Sequence, residues 1–367
     1  MKKIIKKFIP KSILEFRVKI RHEIYKAKIK NFSLYFSKKN RTILRELENK
    51  FFFQIKNTKF ISSRGFLNSV SIHNKIQYEN SKLISLEKIE KIKPNSSIYI
   101  CSNALINFSK KMIDKIKIPF VLVSGNSDLE VSPNTIGKNN FYKILNNKLL
   151  QKWFAQNLNF ENNKLINLPG GLDYQSAWEG NTTYTKGKML PFEQEKILID
   201  TFVNSPNINE RRFSAFSNWH HLLSDERKLC LEKIDKSTCF FQSTRPYRNI
   251  TWKLQSNFTF VLCPAGGGMD SHRIWEGILL GCIPIVKKNG LINLFNKLPV
   301  IIINDWNEIN INYLKDEYEK IISKKFDFSS LFLKYWKLKF TNDEAKFELE
   351  KMTLDEFKNY VQNNLIN

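Results

Sequence analysis

Residues able to bind a charged ligand are concentrated between Pro264 and Glu276, where a run of glycines is followed by a histidine, an arginine and a glutamate. Glycines 266–268 lack a Cβ atom, so the backbone there can approach a ligand closely. Arg273 carries a planar guanidinium that matches the oxygens of a phosphate group. Glu276, one helical turn further on, could accept two hydrogen bonds from a vicinal diol such as a ribose. An anion ligand beside a diol acceptor indicates a site for a nucleoside diphosphate.

A strand, a helix and a second strand must position these residues. Residues 258–263 form a short apolar run that is typical of a buried strand, and residues 283–286 form another. The pattern predicts a helix from about residue 272 to 280, which Asp270 or Ser271 can cap. The start of a helix carries free N–H groups and a partial positive charge. An anion on the glycine loop would therefore also meet the helix N-terminus.

The same stretch resembles a known donor-site pattern. The glycines, the arginine and the glutamate, followed by an apolar strand and an Asn-Gly turn, are similar to the signature of exostosin-like glycosyltransferases, in particular of bacterial members that build surface polysaccharides. The matching residues are Pro264, Gly266, Arg273, Glu276, residues 281–286 and Asn289-Gly290. A weaker likeness extends over residues 121–290. Gly277 departs from the family, which usually has alanine there.

The resemblance implies an α/β, GT-B-like fold, in which two Rossmann-type domains face each other across a cleft. It implies that the C-terminal domain binds a nucleotide sugar and that the N-terminal domain binds a glycan or a lipid-linked glycan. Arg211, with Arg212 as an equal alternative, lies in a loop predicted to follow an apolar strand that begins near residue 195. The residues expected to bind the donor are Gly266, Gly267, Gly268, Ser271, His272, Arg273, Glu276, Arg211 and Arg248.

Two aspartates are the candidates for acceptor chemistry. Apolar runs near residues 97–101, 119–124 and 164–169 predict strands that alternate with helices, which implies a parallel sheet. Asp128 and Asp173 each follow such a strand, at the edge where ligands bind in open α/β sheets. If transfer inverts the anomeric centre, we expect Asp128 first, and Asp173 second, to take the proton of the acceptor hydroxyl. Turn formation is the alternative role, and the residues do not decide between inversion and retention.

The predicted domains are a basic helical segment over residues 1–50, an acceptor-side domain over 51–185, a donor domain over 186–340, and C-terminal helices over 341–367 that are able to cross back to the first domain. Residues 1–30 hold eleven Lys or Arg against two Glu, with apolar residues at helical spacing. A basic amphipathic helix of this kind can lie on an anionic membrane surface. An ordinary solvated helix is the alternative.

Composition restricts the remaining classes of function. The net charge is +24, but the excess is mostly lysine, and the chain has no zinc-finger spacing or recognition-helix signature, so nucleic acid is not an expected partner. Five scattered cysteines indicate a reducing compartment. Without an apolar run of membrane-spanning length or a signal peptide, we expect a cytoplasmic protein, able to bind the inner face of the cell membrane.

The chain contains no Asp-x-Asp triplet, the motif with which another large class of glycosyltransferases holds a divalent metal. We therefore expect no bound metal and no cofactor, because the helix start and the arginines can neutralise a diphosphate. Two other functions stay open. One is a non-catalytic module that binds polyanions, and the other is a GT-B-like epimerase that acts on the sugar nucleotide itself.

Overall fold

The computed structural model describes residues 38–74, 83–180, 185, 187–219, 224–244, 246–341 and 346–366. The chain separates into two units, Met1–Phe53 and Gln54–Asn367, and the second contains both β-sheets. The basic segment 1–30 lies outside the described residues, so the membrane contact proposed for it stays a prediction. Within the described part, no helix combines the length and the apolar character that crossing a bilayer requires.

The first sheet has four parallel strands in the order β1-β2-β3-β4. These are β1 (Ser96–Cys101), β2 (Phe120–Gly125), β3 (Leu150–Ala155) and β4 (Leu165–Asn167). Every residue of β1 and β2 is buried, as expected for parallel strands covered on both faces. The apolar runs at 97–101 and 119–124 therefore predicted these two strands to within one residue.

The second sheet has five parallel strands in the order β6-β5-β7-β8-β9. They are β5 (Arg212–Ser217), β6 (Cys239–Phe241), β7 (Phe258–Leu262), β8 (Ile283–Lys287) and β9 (Ile301–Ile303). The first strand of this sheet lies between the second and the third, so the direction of winding reverses between β5 and β7. A reversal of this kind opens a crevice at the carboxyl ends of the two strands, where ligands of open α/β sheets bind.

Helices lie before β1, between the strands and after β9. Their bounds are α1 (Lys38–Lys56), α2 (Ser63–Leu67), α3 (Leu86–Glu90), α4 (Leu105–Lys111), α5 (Pro133–Ile136), α6 (Lys138–Leu145), α7 (Tyr174–Trp178), α8 (Pro191–Val203), α9 (Asp225–Lys233), α10 (Arg248–Gln255), α11 (His272–Leu279), α12 (Ile292–Phe295), α13 (Ile311–Ile322), α14 (Leu333–Phe340) and α15 (Leu354–Leu365). The helix expected near 272–280 is α11, which begins at the predicted residue.

Helix α8 corrects one prediction. The apolar residues after residue 195 were interpreted as a strand, but the segment is helical, with a proline in its first turn. Leu198 and Phe202 lie four residues apart and are both buried, which is helical spacing. Within the described chain no strand ends directly before Arg211, so this arginine precedes β5, and Arg212 is the first residue of that strand. Both arginines therefore lie at the amino end of that strand, opposite to the crevice.

The C-terminal helices pack on different parts of the second unit. Trp336 and Phe340 of α14 contact Phe154 of β3, with ring centroids 6.3 and 5.2 Å apart, so α14 returns to the first sheet. Phe357 of α15 packs instead against Phe202 of α8, at 5.8 Å. The fold class is confirmed as α/β with two parallel Rossmann-like sheets, one within residues 96–167 and the other within 212–303. The domain boundaries themselves stay predictions.

Candidate donor and acceptor cavities

The donor cavity, as we name it, has a volume of about 360 Å³ and lies at the crevice of the second sheet. Asn218 follows β5, and the glycine loop follows β7, so both sides of the winding reversal contribute to it. The residues that line it are Asp128, Asp173, Asn218, Arg227, Gln242, Thr244, Pro246, Arg248, Thr251, Trp252, Gly266, Gly267, Gly268, Asp270, Ser271, His272, Arg273 and Glu276. Eight of the nine residues predicted to bind the donor are in this set, and Arg211 is the exception.

The N-terminus of α11 forms one wall of the donor cavity. Ser271 is its cap residue and accepts a hydrogen bond from the backbone N–H of Arg273 through its hydroxyl, at 3.4 Å. The Nε of Arg273 donates to the Oδ1 of Asn218 at 2.9 Å, which fixes the side chain against the end of β5. No carboxylate pairs with this guanidinium within the described residues, so its two terminal nitrogens can serve an anion in the cavity.

The glycine loop leaves room for side chains of the protein itself. A Cβ atom on Gly266 would lie 2.7 Å from the Nη2 of Arg227, and one on Gly268 would lie 2.9 Å from the amide of Asn157. A Cβ on Gly267 would collide with the carboxylate of Asp128. Close approach by a ligand is thus not the only reason for three successive glycines, because Asp128 and Asn157 reach the loop from the first sheet.

Arg248 connects α11 to the N-terminus of α7 through Glu276 and Asp173. Its Nη2 lies 3.3 Å from the Oδ2 of Asp173, and its Nε lies 3.8 Å from the Oε1 of Glu276. The side chains of this cluster are 7–12% exposed. Burial alone would raise the pKa of Asp173, but the charges of Arg248 and His272 and hydrogen bonds from Ser176 outweigh it and lower this pKa to about 2. Asp173 is therefore held as an ionised partner of Arg248.

The acceptor cavity, of about 550 Å³, adjoins the first and opens beside the first sheet. Its lining is rich in hydroxyl and amide groups, from Ser63, Asn126, Ser127, Gln156, Asn157, Gln175 and Ser176. Both cavities are lined by Asp128, Asp173, Asp270 and His272, which we call the shared wall. A ligand in one cavity would meet a ligand in the other at these four side chains.

The shared wall contains three carboxylates in different environments. Asp128 is exposed, and its carboxylate makes no hydrogen bond to any residue that the structure describes. Asp270 accepts hydrogen bonds from the backbone N–H of Gly170 at 2.5 Å and from the Nε1 of Trp275 at 2.8 Å. Burial raises the pKa of Asp270 to about 6, although these donors oppose the rise. A carboxyl group with such a pKa in a cleft is a candidate for proton transfer near neutral pH.

Comparisons with known proteins give only distant similarities. No family model matches the chain, and a search of curated proteins finds no match either. An α1,3-fucosyltransferase with GDP-fucose aligns with 78% of this chain and 98% of its own, at 13% identity and a TM-score of 0.34. A UDP-GlcNAc 2-epimerase of Methanocaldococcus jannaschii in complex with UDP-GlcNAc and UDP aligns with 65% of this chain and 72% of its own, at 13% identity and a TM-score of 0.29.

A trehalose-phosphate synthase (UDP-forming) from Burkholderia vietnamiensis aligns with 87% of this chain and 83% of its own, at 9% identity and a TM-score of 0.33. Because all three TM-scores lie below 0.5, these similarities assign no activity to this chain. The exostosin-like resemblance likewise has no matching family model. Function must therefore be inferred from the residues of the two cavities.

Arg211 lies away from both cavities. Its guanidinium is buried and donates to the carbonyl of Leu280 at 2.9 Å and to the hydroxyl of Ser205 at 2.8 Å. Leu280 is the C-terminal cap of α11, and eight helical residues rise by about 12 Å. Arg211 therefore binds the C-terminal end of α11, which is the end opposite to the donor cavity. Arg212 contacts the rings of Phe240 and Phe258 instead.

Eight residues that line the donor cavity were not predicted from the sequence, among them Asn218, Arg227 and Asp270. Asn218 could be found only once β5 was placed correctly, because it follows that strand. Arg227 is 5% exposed and reaches the glycine loop from α9, which sequence spacing does not reveal. Asp270 was considered only as a helix cap, a role that Ser271 takes. The signal available in the sequence was an aspartate directly before the helix cap and close to a histidine.

Proposed function

We propose that the protein is a glycosyltransferase that moves a sugar from a nucleotide-sugar donor to a glycan or lipid-linked glycan acceptor. The observation that carries this proposal is the pair of adjoining cavities with one shared wall. The first lies at a helix start and a winding reversal and contains an arginine that could bind an anion, and the second is lined by hydroxyl and amide groups. Group transfer needs two substrates side by side, and this arrangement supplies a place for each.

In this proposal the donor diphosphate lies on the start of α11. The N–H groups of the helix and the guanidinium of Arg273 would stabilise the negative charge that develops on the departing diphosphate. Glu276 would hold the ribose, with Arg248 fixing its carboxylate from the side. The acceptor hydroxyl would lie at the shared wall, within reach of groups able to take its proton. These groups belong to the chain itself, so the proposal includes no metal and no cofactor.

The resemblance extends the proposal to a biological role. Bacterial proteins with this motif take part in the synthesis of surface polysaccharide such as capsule or lipopolysaccharide, and we propose the same role here, with inversion at the anomeric centre. An acceptor of this kind is often attached to lipid. Residues 1–30, with their excess of basic side chains, would then bring the enzyme to the anionic inner face of the cell membrane.

The first test is nucleotide binding. Purified protein is heated with UDP, GDP, CMP, ADP or TDP, with and without EDTA, and the midpoint of unfolding is recorded. A ligand at a hundred times its dissociation constant adds about 2.7 kcal/mol, which raises the midpoint by a few degrees. We expect one base to stabilise the protein and EDTA to have no effect. Stabilisation that EDTA abolishes would contradict the metal-free proposal.

Arg273→Ala tests where the nucleotide binds. Loss of a charge-assisted hydrogen bond of about 1.5–3 kcal/mol should weaken nucleotide affinity roughly 10- to 150-fold, measured by calorimetry. Arg212→Ala is the matched control, because it removes the same charge from the opposite end of β5. If both variants bind as the wild type does, the proposed donor site is wrong.

Release of the nucleotide from its sugar donors then separates the candidate functions. A glycosyltransferase should release the diphosphate faster when an acceptor glycoside is present, whereas an epimerase should change the sugar without releasing it. A polyanion-binding module should instead bind heparin or nucleic acid with a steep dependence on salt and prefer no nucleotide. The acceptor cavity favours transfer, because an epimerase has only one substrate to bind.

A further inference from the structure

The histidine of the shared wall is oriented by a backbone carbonyl. The Nδ1 atom of His272 lies 2.5 Å from the carbonyl oxygen of Gly171, in the loop that follows β4. A carbonyl oxygen only accepts hydrogen bonds, so Nδ1 must carry the proton. In the neutral ring, Nε2 then has the free lone pair. Within the described residues the ring makes no other hydrogen bond, so Nε2 is available to a ligand.

Acidic groups surround this ring. A positive charge on His272 would lower the pKa of both Asp173 and Asp270, because both carboxylates lie near the ring. Asp128 completes the acidic side of the shared wall. The neighbouring cation, Arg248, is already paired with Asp173 and Glu276. The site can therefore stabilise a positive charge that forms on the imidazole during a reaction.

We propose that His272 is the general base of the transfer, in place of a carboxylate of the acceptor side. This inference rests on the proposed function. The proton of the acceptor hydroxyl moves to Nε2, and the hydroxyl oxygen forms a bond to the anomeric carbon. The bond from that carbon to the diphosphate oxygen breaks, and its electron pair leaves with the diphosphate towards Arg273 and the start of α11.

Two observations favour the histidine over the predicted aspartates. Asp173 is ion-paired and keeps a pKa of about 2, which makes it a weak base at neutral pH. Asp128 is exposed and has no partner among the described residues to orient it, whereas His272 is fixed by Gly171. His272 was expected to bind the donor, but the hydrogen bond turns its Nδ1 edge towards the loop that carries Gly171.

The test is His272→Asn. The asparagine amide can occupy the place of Nδ1–H and donate to Gly171, but it has no counterpart of Nε2. The assay is release of nucleoside diphosphate from the sugars of whichever nucleotide stabilises the wild type, with water as the acceptor, since water must lose a proton as a glycan hydroxyl does. We expect the rate to fall roughly 10²- to 10⁴-fold, with the nucleotide-induced rise in unfolding temperature unchanged.

The pH profile gives a second readout. A reaction that needs an unprotonated base slows on the acid side, and the slow residual rate of His272→Asn should lack this acid limb of the wild-type profile. His73→Asn is the matched control. The Nδ1 of His73 also lies against a backbone carbonyl, that of Asn74, at 2.9 Å, but His73 lines neither cavity. This control should keep the wild-type rate and profile.

Each outcome decides a separate point. If the wild type binds no nucleotide, the proposed function fails. If the wild type releases nucleotide and His272→Asn does so at the same rate, only the assignment of the base fails. Asp128 and Asp270 of the shared wall are then the remaining candidates. Loss of nucleotide stabilisation in His272→Asn would overturn the assignment in favour of donor binding. Should this variant not fold, His272→Gln, which also lacks the imidazole, must show the same loss of rate.

Discussion

Replacing Asp173 with asparagine would test whether this carboxylate acts through its charge. Its Oδ1 caps α7 by accepting the N–H of Ser176 at 3.0 Å, and its Oδ2 pairs with Arg248. Asparagine also caps helices well, so the cap would persist. The variant Asp173→Asn therefore removes mainly the ion pair and leaves the local backbone as it is.

The size of the effect follows from the pKa. A fall from the ordinary value of 3.8 to about 2 means that the folded state favours the ionised carboxyl. At neutral pH this corresponds to about 2.5 kcal/mol of stability. Because the folded-state pKa is depressed, the contribution is complete above the unfolded-state value and is lost as the pH falls towards 2. At pH 3 about half of it should remain.

Urea unfolding at pH 7 and at pH 3 measures this contribution. We expect Asp173→Asn to lower the free energy of unfolding by about 2–3 kcal/mol at pH 7 and by about half as much at pH 3. Asp128→Asn, on the same wall but without a hydrogen bond to the described residues, should change neither value. An equal loss at both pH values would refute the reasoning, because it would show that charge is not responsible.

Two further substitutions address the frame of the site. Gly171→Ala should destabilise the protein by about 2–5 kcal/mol in urea unfolding, because Gly171 has a φ of +71° and an added Cβ would lie 2.5 Å from the backbone oxygen of Ile61. Gly187→Ala, which meets no atom within 4 Å, is its control. Arg211→Ala should lower the free energy of unfolding by about 2–4 kcal/mol, because it leaves the carbonyl of Leu280 without its hydrogen-bond donor. The variant should still be stabilised by nucleotide in the thermal-shift assay. A folded variant without that stabilisation would place Arg211 in the site after all.

The core strands could be predicted because they are apolar runs bounded by turn residues. Strand β7 differs from its prediction only at Cys263, and β8 only at Lys287. Helix α11 was predictable for a similar reason, since a polar cap precedes an amphipathic segment. Such signals are local, and each needs only a few neighbouring residues.

The errors and omissions arose where the signal was not local. Seven mostly apolar residues at 197–203 fit a strand as well as a buried helix. Interpreting them as a strand placed Arg211 at the carboxyl end of that strand, whereas the segment is a helix and Arg211 lies at the amino end of β5. The pairing of Arg248 with Asp173 joins residues 75 positions apart, which spacing along the chain cannot show. The change in the Asp270 pKa likewise depends on burial against the loop at Gly170.

Because α14 returns to the first sheet, the packing of that sheet can be completed only late in synthesis. Phe154 of β3 is covered by Trp336 and Phe340, which leave the ribosome only after the whole second sheet. At translation rates of 5–20 residues per second, the intervening segment takes roughly 10–40 s to make. During that time the emerging first sheet lacks part of its aromatic cover. A nascent chain stalled before Leu333 should therefore be held by chaperones and cut by proteases more readily than the finished protein.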